Sequence, residues 1–225
     1  MKRTMTIIIT MLCLVAAMPA SAQMHRGGYG RYGYDRGHRG YYSPHAYFGL
    51  RFGMSTSHVN SDAPNLSSGL KSGLNVGAVG GVQVSPYLPM FFETGLEYSE
   101  KGGKGSLDGK KFSVGLNYLE IPLVLKYSAQ IADATAIEPF IGGYVGLGVS
   151  GKVKDYDQYQ AYSSYSDNYG ANFKRTDGGI RVGCGIAFEF LYAEMGYDFG
   201  LRNIGDNAFD DTHNGSLFLN IGVNF

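Results

Sequence analysis

The sequence contains no tryptophan and only two cysteines in 225 residues. Cys13 lies in an N-terminal apolar segment that we expect to be removed, which would leave Cys184 alone and allow no internal disulfide. After residue 22, no run approaches the roughly 20 apolar residues that a membrane-spanning helix needs. An integral membrane protein with this sequence would therefore have to cross the bilayer as β-strands.

A strong net charge is also missing. The full chain has 19 basic and 19 acidic residues, and removal of Lys2 and Arg3 leaves 17 basic against 19 acidic. This balance argues against a nucleic-acid partner, which usually requires a basic surface. The chain is instead rich in Gly (34) and Tyr (18), and both residue types suit β-barrels.

The N-terminus has the organisation of a secretion signal. Lys2 and Arg3 precede a mostly apolar stretch from Met5 to Met18, and Ala20-Ser21-Ala22 matches a small-x-small cleavage site. We therefore predict a signal peptide over 1–22. Cys13 lacks the preceding small residues of a lipid-attachment site, so we do not expect a lipoprotein.

Residues 23–45 are rich in Gly, Tyr and Arg and poor in aliphatic residues. Such a segment buries too little apolar surface to offset the loss of chain entropy. We predict a disordered tail here, located in the periplasm, followed by one β-barrel domain over 46–225.

The last ten residues alternate without a break. Leu217, Leu219, Ile221, Val223 and Phe225 would share one face of a strand, while small and mostly polar residues occupy the other. The same period of two predicts eight strands, at about 46–57, 72–85, 90–100, 111–128, 137–151, 178–188, 191–203 and 216–225. Within the fourth, Phe112, Val114 and Leu116 have the opposite phase, which predicts a bulge near Asn117.

The links between these strands alternate in length. Short links at 86–89, 129–136 and 189–190 alternate with longer ones at about 58–71, 101–110, 152–177 and 204–214. This is typical of bacterial outer-membrane barrels, in which short turns face the periplasm and long loops the exterior. We predict an all-β, eight-stranded, antiparallel up-and-down transmembrane β-barrel in the cell outer membrane, with both chain ends on the periplasmic side.

Alternation alone does not decide which face is outside, because a soluble lipocalin-type barrel would place the aliphatic face within. The polar face is mostly Gly, Ser and Asn with a few charges of both signs, which suits the narrow lumen of a membrane barrel. We therefore expect the aliphatic face, with interfacial aromatics such as Tyr98, Tyr127, Tyr197 and Phe225, to contact lipid. The predicted lumen charge network comprises Arg51, Glu93, Glu97, Glu120, Lys126, Arg181, Glu194, Asp198 and Arg202.

Three features together resemble the PorT-type outer-membrane β-barrel family of Bacteroidota, over about 46–225. They are the string YLEIPLVLKY at 118–127, the Gly-containing opening strand at 48–53 and the terminal aromatic Phe225. The resemblance implies an eight-stranded outer-membrane barrel, and one member of the family is linked to secretion through the type IX system. Phe225 also resembles the signal read by the barrel-assembly machinery.

Two groups of residues at the predicted outer rim have chemically capable side chains. Catalysis would require a nucleophile and a base within hydrogen-bond distance, and the alternative is that these are ordinary solvated loop residues. We favour the second interpretation and expect no catalytic residue, no metal site and no cofactor. The first group is Ser55, Ser57 and His58, and the second is Asp206, Asp210, Asp211 and His213.

Two loops are candidates for surface contacts. The first has a predicted hairpin tip at Asp108-Gly109 and four lysines expected on the outer side, near lipopolysaccharide phosphates: Lys101, Lys104, Lys110 and Lys111. In the second, tyrosines recur every three or four residues, a composition suited either to recognition or to packing across the barrel mouth. They are Tyr156, Tyr159, Tyr162, Tyr165 and Tyr169.

The sequence therefore predicts a non-enzymatic outer-membrane barrel with a structural or interaction role at the cell surface, for which an accessory role in protein secretion is one option. The alternatives are a narrow pore or small-ligand-binding barrel, and a lipid-modifying enzyme at the rim. The expected partners are outer-membrane lipid, lipopolysaccharide, the barrel-assembly machinery during insertion and a surface or secretion protein.

Overall fold

The computed structural model describes residues 46–61, 67–107, 110–132, 134–155, 160–165, 173–205 and 212–225. The predicted signal peptide (1–22) and tail (23–45) lie outside these residues. Within the described ranges, no helix is long and apolar enough to cross a membrane.

The described residues form eight long β-strands, β1 to β8. Each strand pairs antiparallel with its neighbour in sequence, and β8 pairs with β1, so the predicted eight-stranded up-and-down barrel is confirmed. Four short strands, at 67–69, 129–132, 152–155 and 160–163, extend the wall. The eight long strands span Ala46–Ser61, Lys71–Gln83, Met90–Leu107, Lys110–Tyr127, Thr135–Ser150, Thr176–Phe188, Leu191–Gly200 and Thr212–Asn224.

The last strand closes the barrel. Its register with β1 runs from Gly49 opposite Asn224 to Ser61 opposite Thr212. Phe225 continues the pairing, since its N–H donates to Phe48 O at 2.7 Å and its O accepts from Phe48 N–H at 3.1 Å. Closure leaves neither β1 nor β8 as an unpaired edge, which is the condition for a sheet to stand in hydrocarbon.

The two ends of the barrel differ. At the short-turn end, where β1 begins and β8 ends, the links are 84–89, 128–134 and 189–190. The links 62–70, 151–175 and 201–211 lie at the opposite, long-loop end. There, β3 and β4 extend further than predicted: Leu107 pairs with Lys110, so most of the predicted loop at 101–110 is strand and only two residues, 108–109, connect the pair.

The apolar face points outward. Leu219 and Ile221 are 59% and 61% exposed, whereas Asn220 between them is 3% exposed. Successive side chains of a strand point to opposite faces, so one strand presents aliphatic groups outside and polar groups inside. The arrangement is the reverse of that in a soluble barrel.

The irregularity predicted near Asn117 is present, but its predicted effect is wrong. The register between β4 and β5 shifts at Asn117 and Tyr118, because β5 carries one extra residue there. The alternation of β4 itself is unbroken, so Val114 and Leu116 point inward together with Tyr118 and Glu120. Their apolar side chains pack under the long loops and do not face lipid.

Candidate functional site: the charged lumen

The lumen of the barrel holds most of the predicted charge network. Eight of the nine predicted residues point into the lumen from five of the long strands, and each is at most 7% exposed. They are Arg51, Glu93, Glu97, Glu120, Lys126, Arg181, Glu194 and Asp198. The prediction for Arg202 is wrong, because β7 ends at Gly200 and the N–H groups of residues 201 and 202 both donate to Gly178 O. The chain therefore leaves the strand before residue 202, and the Arg202 side chain is exposed.

Arg181 is the centre of a cluster towards the long-loop end. Its guanidinium contacts Glu97 at 2.6 Å, Asp198 at 2.7 Å and Glu120 at 3.1 Å. Lys101 joins the same cluster through Glu120 at 2.6 Å and Asp198 at 2.9 Å. Each charged group this deeply buried loses several kcal/mol of hydration, and such pairing offsets that loss.

Lys101 corrects a second prediction. The sequence predicts it on the outer side near lipopolysaccharide, but its side chain is 1% exposed and its ammonium lies 4.2 Å from the Tyr144 ring centroid. The reason is that β3 continues to Leu107, so position 101 keeps the inward phase of Glu93 and Glu97. The lumen thereby gains a cation that the sequence interpretation assigned to a loop.

A second cluster fills the lumen towards the short-turn end. Lys126 contacts Glu93 at 2.9 Å and Glu194 at 3.6 Å, and Arg51 contacts Glu93 at 3.3 Å. Glu93 also accepts a 2.5 Å hydrogen bond from the Tyr47 hydroxyl. Glu93 is thus held by two cations and a phenol, which fixes its carboxylate within the lumen.

Aromatic rings complete this cluster. The Tyr192 ring lies 4.1 Å from Arg51 Cζ and 4.5 Å from Lys126 Nζ, as in cation–π contacts. Tyr192 lies over Gly185, where an added Cβ would stand 2.1 Å from the tyrosine oxygen. Glycine on the inner wall therefore makes room for a ring that blocks the lumen.

An apolar layer accompanies the two ionic clusters. Phe140 and Phe218 stack with ring centroids 6.5 Å apart and pack with Val124. The Arg181 guanidinium carbon lies 4.8 Å from the Phe218 ring centroid, and Lys126 Nζ lies 5.2 Å from that of Phe140. Both clusters thus contact this layer, which adds hydrophobic filling between charged groups.

Two buried carboxylates were missed by sequence reasoning. Asp177 accepts from Asn214 Nδ2 at 3.0 Å and from the Tyr144 hydroxyl at 3.5 Å. Glu138 accepts from the Ser128 hydroxyl at 2.9 Å. Asp177 precedes the predicted start of its strand, whereas Glu138 stands between two residues of an apolar run and has the inward phase, a signal that was available.

The long-loop mouth is closed by a small apolar core. It consists of Val114, Leu116, Tyr118, Phe173 and Ile204. Backbone hydrogen bonds hold the loops over it, from Lys174 N–H to Ile204 O and from Ile204 N–H to Thr212 O, both at 2.8 Å. The described part of the mouth is therefore a packed cap.

Of the predicted tyrosine loop, Tyr165 packs against this core, and its ring centroid lies 5.0 Å from Arg175 Cζ in a cation–π contact. Tyr162 is half-buried on the short strand 160–163, which pairs with 152–155. Tyr156, Tyr159 and Tyr169 lie outside the described residues.

Among the described rim residues, Ser55 and Ser57 lie on the opposite face of the wall from His58. Ser55 and Ser57 point inward and donate to Glu100 O and Gly102 O, both at 2.9 Å. His58 follows Ser57 directly in a strand, so it faces the other side of the wall, where it lies against Gly215. Asp206, Asp210 and Asp211, the predicted neighbours of His213, lie outside the described residues. Among the residues that are described, no group of three or more His, Cys, Asp or Glu side chains could hold a metal ion.

A closed, eight-stranded antiparallel barrel with an aliphatic exterior and a polar interior is the architecture of a small outer-membrane β-barrel protein. The chain belongs to the family described as "Outer membrane protein beta-barrel domain", whose model matches residues 37–206. No curated protein matches the chain at a significant level.

Several solved barrels are similar in fold. The attachment invasion locus protein Ail of Yersinia pestis is 14% identical, with 80% of this chain and 99% of Ail covered and a TM-score of 0.40. A major outer membrane protein from Thermus thermophilus is 13% identical, with 80% and 100% covered and a TM-score of 0.46. OprG from Pseudomonas aeruginosa is 13% identical, with 81% and 97% covered and a TM-score of 0.42.

Proposed function

We propose that this protein is a sealed, non-enzymatic outer-membrane barrel that serves as a structural or interaction protein at the cell surface. The observation that carries the proposal is the two-cluster ion network around Arg181 and Lys126, whose charged groups lie 2.6 to 3.6 Å from their partners. An open pore needs a continuous water path, whereas here ion pairs, aromatic rings and a loop core occupy successive levels of the lumen.

The proposal includes an orientation and a route of assembly. Short turns and both ends of the barrel domain would face the periplasm, and the long loops would face the exterior. A signal peptide over 1–22 would direct export. Phe225, which pairs with Phe48 at the closing seam, would be read by the barrel-assembly machinery during insertion.

The finer relationship we propose is with PorT-type barrels of Bacteroidota, on the strings at 48–53 and 118–127. The long-loop end would contact a partner protein in secretion or at the cell surface. There, Tyr162 lies on a short strand that extends the barrel wall, and Tyr165 packs against the apolar core. A filled lumen suits such a role, because a rigid barrel presents its loops without needing to conduct.

Electrical recording tests the sealed lumen. We expect the folded full-length chain, incorporated into planar lipid bilayers, to give no steady conductance, because the buried ion pairs leave no continuous water path. Folding is verified on the same preparation by the different gel mobility of boiled and unboiled samples.

Steady, ohmic current steps from verified folded protein would contradict the proposal and favour the narrow-pore alternative. A second arm uses His58→Ala and His213→Ala, which remove the two histidines of the described outer rim. Unchanged lipid profiles of cells expressing these variants are expected, and a product lost on either substitution would favour the rim-enzyme alternative.

A further inference from the structure

A group of lysines lies on the outward face of the wall at the long-loop end. Lys104 on β3 pairs with Ser113 on β4, and Ser113 pairs with Lys154 on the short strand 152–155. These three residues form one row across adjacent strands, with Lys104 and Lys154 exposed and Ser113 buried between them. Strands are spaced about 4.8 Å apart, so the two lysine backbones stand about 10 Å from each other.

In the next row towards the barrel centre, the outward positions of β3 and β4 are both glycine. Gly102 pairs with Gly115, and Lys152, two residues before Lys154 on the same face, lies beside Gly115. A Cβ added at Gly115 would stand 3.3 Å from Lys71 Nζ, so this ammonium lies directly over the glycine backbone. Four lysines, Lys71, Lys104, Lys152 and Lys154, thus surround a shallow surface without large side chains; we call them the lysine patch.

The position of the patch relative to the bilayer follows from the outward residues that lie between it and the barrel centre. Asn117, two positions nearer the barrel centre than Gly115, donates to the Tyr98 hydroxyl at 2.8 Å and to Ser150 Oγ at 3.1 Å. Beyond this polar row the outward residues become aliphatic, with Leu123, Val145 and Leu147 all more than 40% exposed. The edge of the apolar band therefore lies at about Tyr98.

Simple geometry places the lysines relative to that edge. Two strand residues advance about 7 Å, so the rows of Gly115 and Ser113 lie about 7 and 14 Å beyond Asn117 along the strand. With a strand tilt of about 40°, these become heights of about 5 and 11 Å. The polar headgroup layer of a bilayer is about 5 to 8 Å thick on each side. The row with Lys152 therefore lies within this layer, and the row with Lys104 and Lys154 lies just beyond it, from where long lysine side chains can extend back into it.

Two groups at the patch are already engaged in hydrogen bonds. Glu100 lies one row below the patch, opposite Asn117, and its carboxylate already accepts from Leu74 N–H at 3.2 Å and the Tyr98 hydroxyl at 3.3 Å. Lys71 is partly engaged, since its ammonium donates to Lys101 O at 3.0 Å. The ammonium groups of Lys104, Lys152 and Lys154 can therefore bind an anion.

We propose that the lysine patch binds the phosphate of an outer-leaflet lipid headgroup, the chemistry presented by lipopolysaccharide. The inference rests on the proposed outer-membrane placement, with the long loops outward. Ammonium groups bind phosphate as charge partners with freely rotating donors, and the two glycines let a bulky phosphate approach the strand backbone. Lipid is the source we favour over a soluble anion, because the patch continues directly from the lipid-facing surface.

The test measures binding of a phosphorylated lipid A to the full chain in neutral detergent micelles, with EDTA to remove bridging divalent cations. The variant Lys152→Gln/Lys154→Gln removes two charges from the patch. Each basic residue near an anionic membrane surface contributes about 1 kcal/mol, so we expect binding to weaken about 30-fold. The control Lys174→Gln/Arg202→Gln removes the same charge at the long-loop end outside the patch, and we expect it to change binding less than about threefold.

Three results would overturn the inference: no weakening in the patch variant, equal weakening in both variants, or equal binding of lipid A that has been dephosphorylated. Displacement of the lipid by millimolar inorganic phosphate at constant ionic strength would show that the patch takes a soluble anion, and would also overturn it. All samples are first checked for heat-dependent gel mobility. A chain that fails this check would contradict the proposed barrel function, whereas a folded chain that fails to bind contradicts the lysine patch alone.

Discussion

Arg181→Met is expected to lower the free energy of unfolding by about 3 to 5 kcal/mol. The substitution keeps much of the side-chain volume but removes the cation that contacts Glu97, Glu120 and Asp198. Truncating one partner of a buried ionic group is strongly destabilising because it leaves uncompensated charge. Among the described residues, Lys101 forms ion pairs with Glu120 and Asp198 but not with Glu97, so Glu97 would lose its ion-pair partner. Urea unfolding of the barrel in lipid vesicles, followed by circular dichroism, gives the measurement.

Arg202→Met is the matched control, because it makes the same chemical change at an exposed arginine beyond the end of β7. Surface substitutions of this kind usually change stability by less than about 0.5 kcal/mol. A further variant, Arg181→Met/Glu97→Gln, removes the acid left without an ion-pair partner and should recover part of the loss. If Arg181→Met were as stable as Arg202→Met, the lumen would have to be open to water, which would contradict a sealed barrel.

Leu219→Arg is expected to cost about 2 to 4 kcal/mol, the range for a basic residue on the lipid face of a barrel near the bilayer midplane. Leu219 is 59% exposed on β8, so in water the same change would be nearly neutral. The size of the loss therefore separates a membrane barrel from a soluble one. The same vesicle unfolding measurement applies.

Leu88→Arg is the control for this effect. Leu88 is 49% exposed but lies in the short-turn link 84–89, beyond the strands. Charged residues near the bilayer interface cost only about 0 to 1 kcal/mol. Equal losses at positions 88 and 219 would indicate that the arginine disturbs folding in general, and no loss at 219 would place that face in water.

The strands were predictable because their signal is local. The alternation of Leu219, Asn220 and Ile221 needs only the period of two, and it predicts both the strand and its two faces. The inward placement of Glu93, Glu97 and Glu194 follows from the same rule. For each of these residues, the alternation within its own strand was enough to predict the side on which it lies.

The ends of strands were less predictable, because pairing with a distant segment determines where a strand stops. Lys101 looked like a loop residue beside two glycines, but β4 pairs with β3 as far as Leu107 and keeps position 101 inside. Arg202 looked like the continuation of β7, but hydrogen bonds to Gly178 O turn the chain away first. Neither partner is visible within a local window of sequence.

The contents of the lumen could be anticipated only as a set. Arg181 and Glu97 are 84 positions apart, and alternation says that both point inward without saying that they meet. Val114 and Leu116 show the same limit: their apolar side chains suggested the lipid face, because the covering residues Phe173 and Ile204 come from distant loops.

The direction in which the aliphatic face points is tested most directly by tryptophan fluorescence, because the chain has no tryptophan of its own. Leu219→Trp and Phe218→Trp place the probe at adjacent positions on opposite faces of β8. In vesicles that contain phospholipids with brominated acyl chains, we expect strong quenching at position 219 and little at position 218. The reverse pattern, or weak quenching at both positions, would contradict an aliphatic exterior in lipid around a sealed ionic lumen.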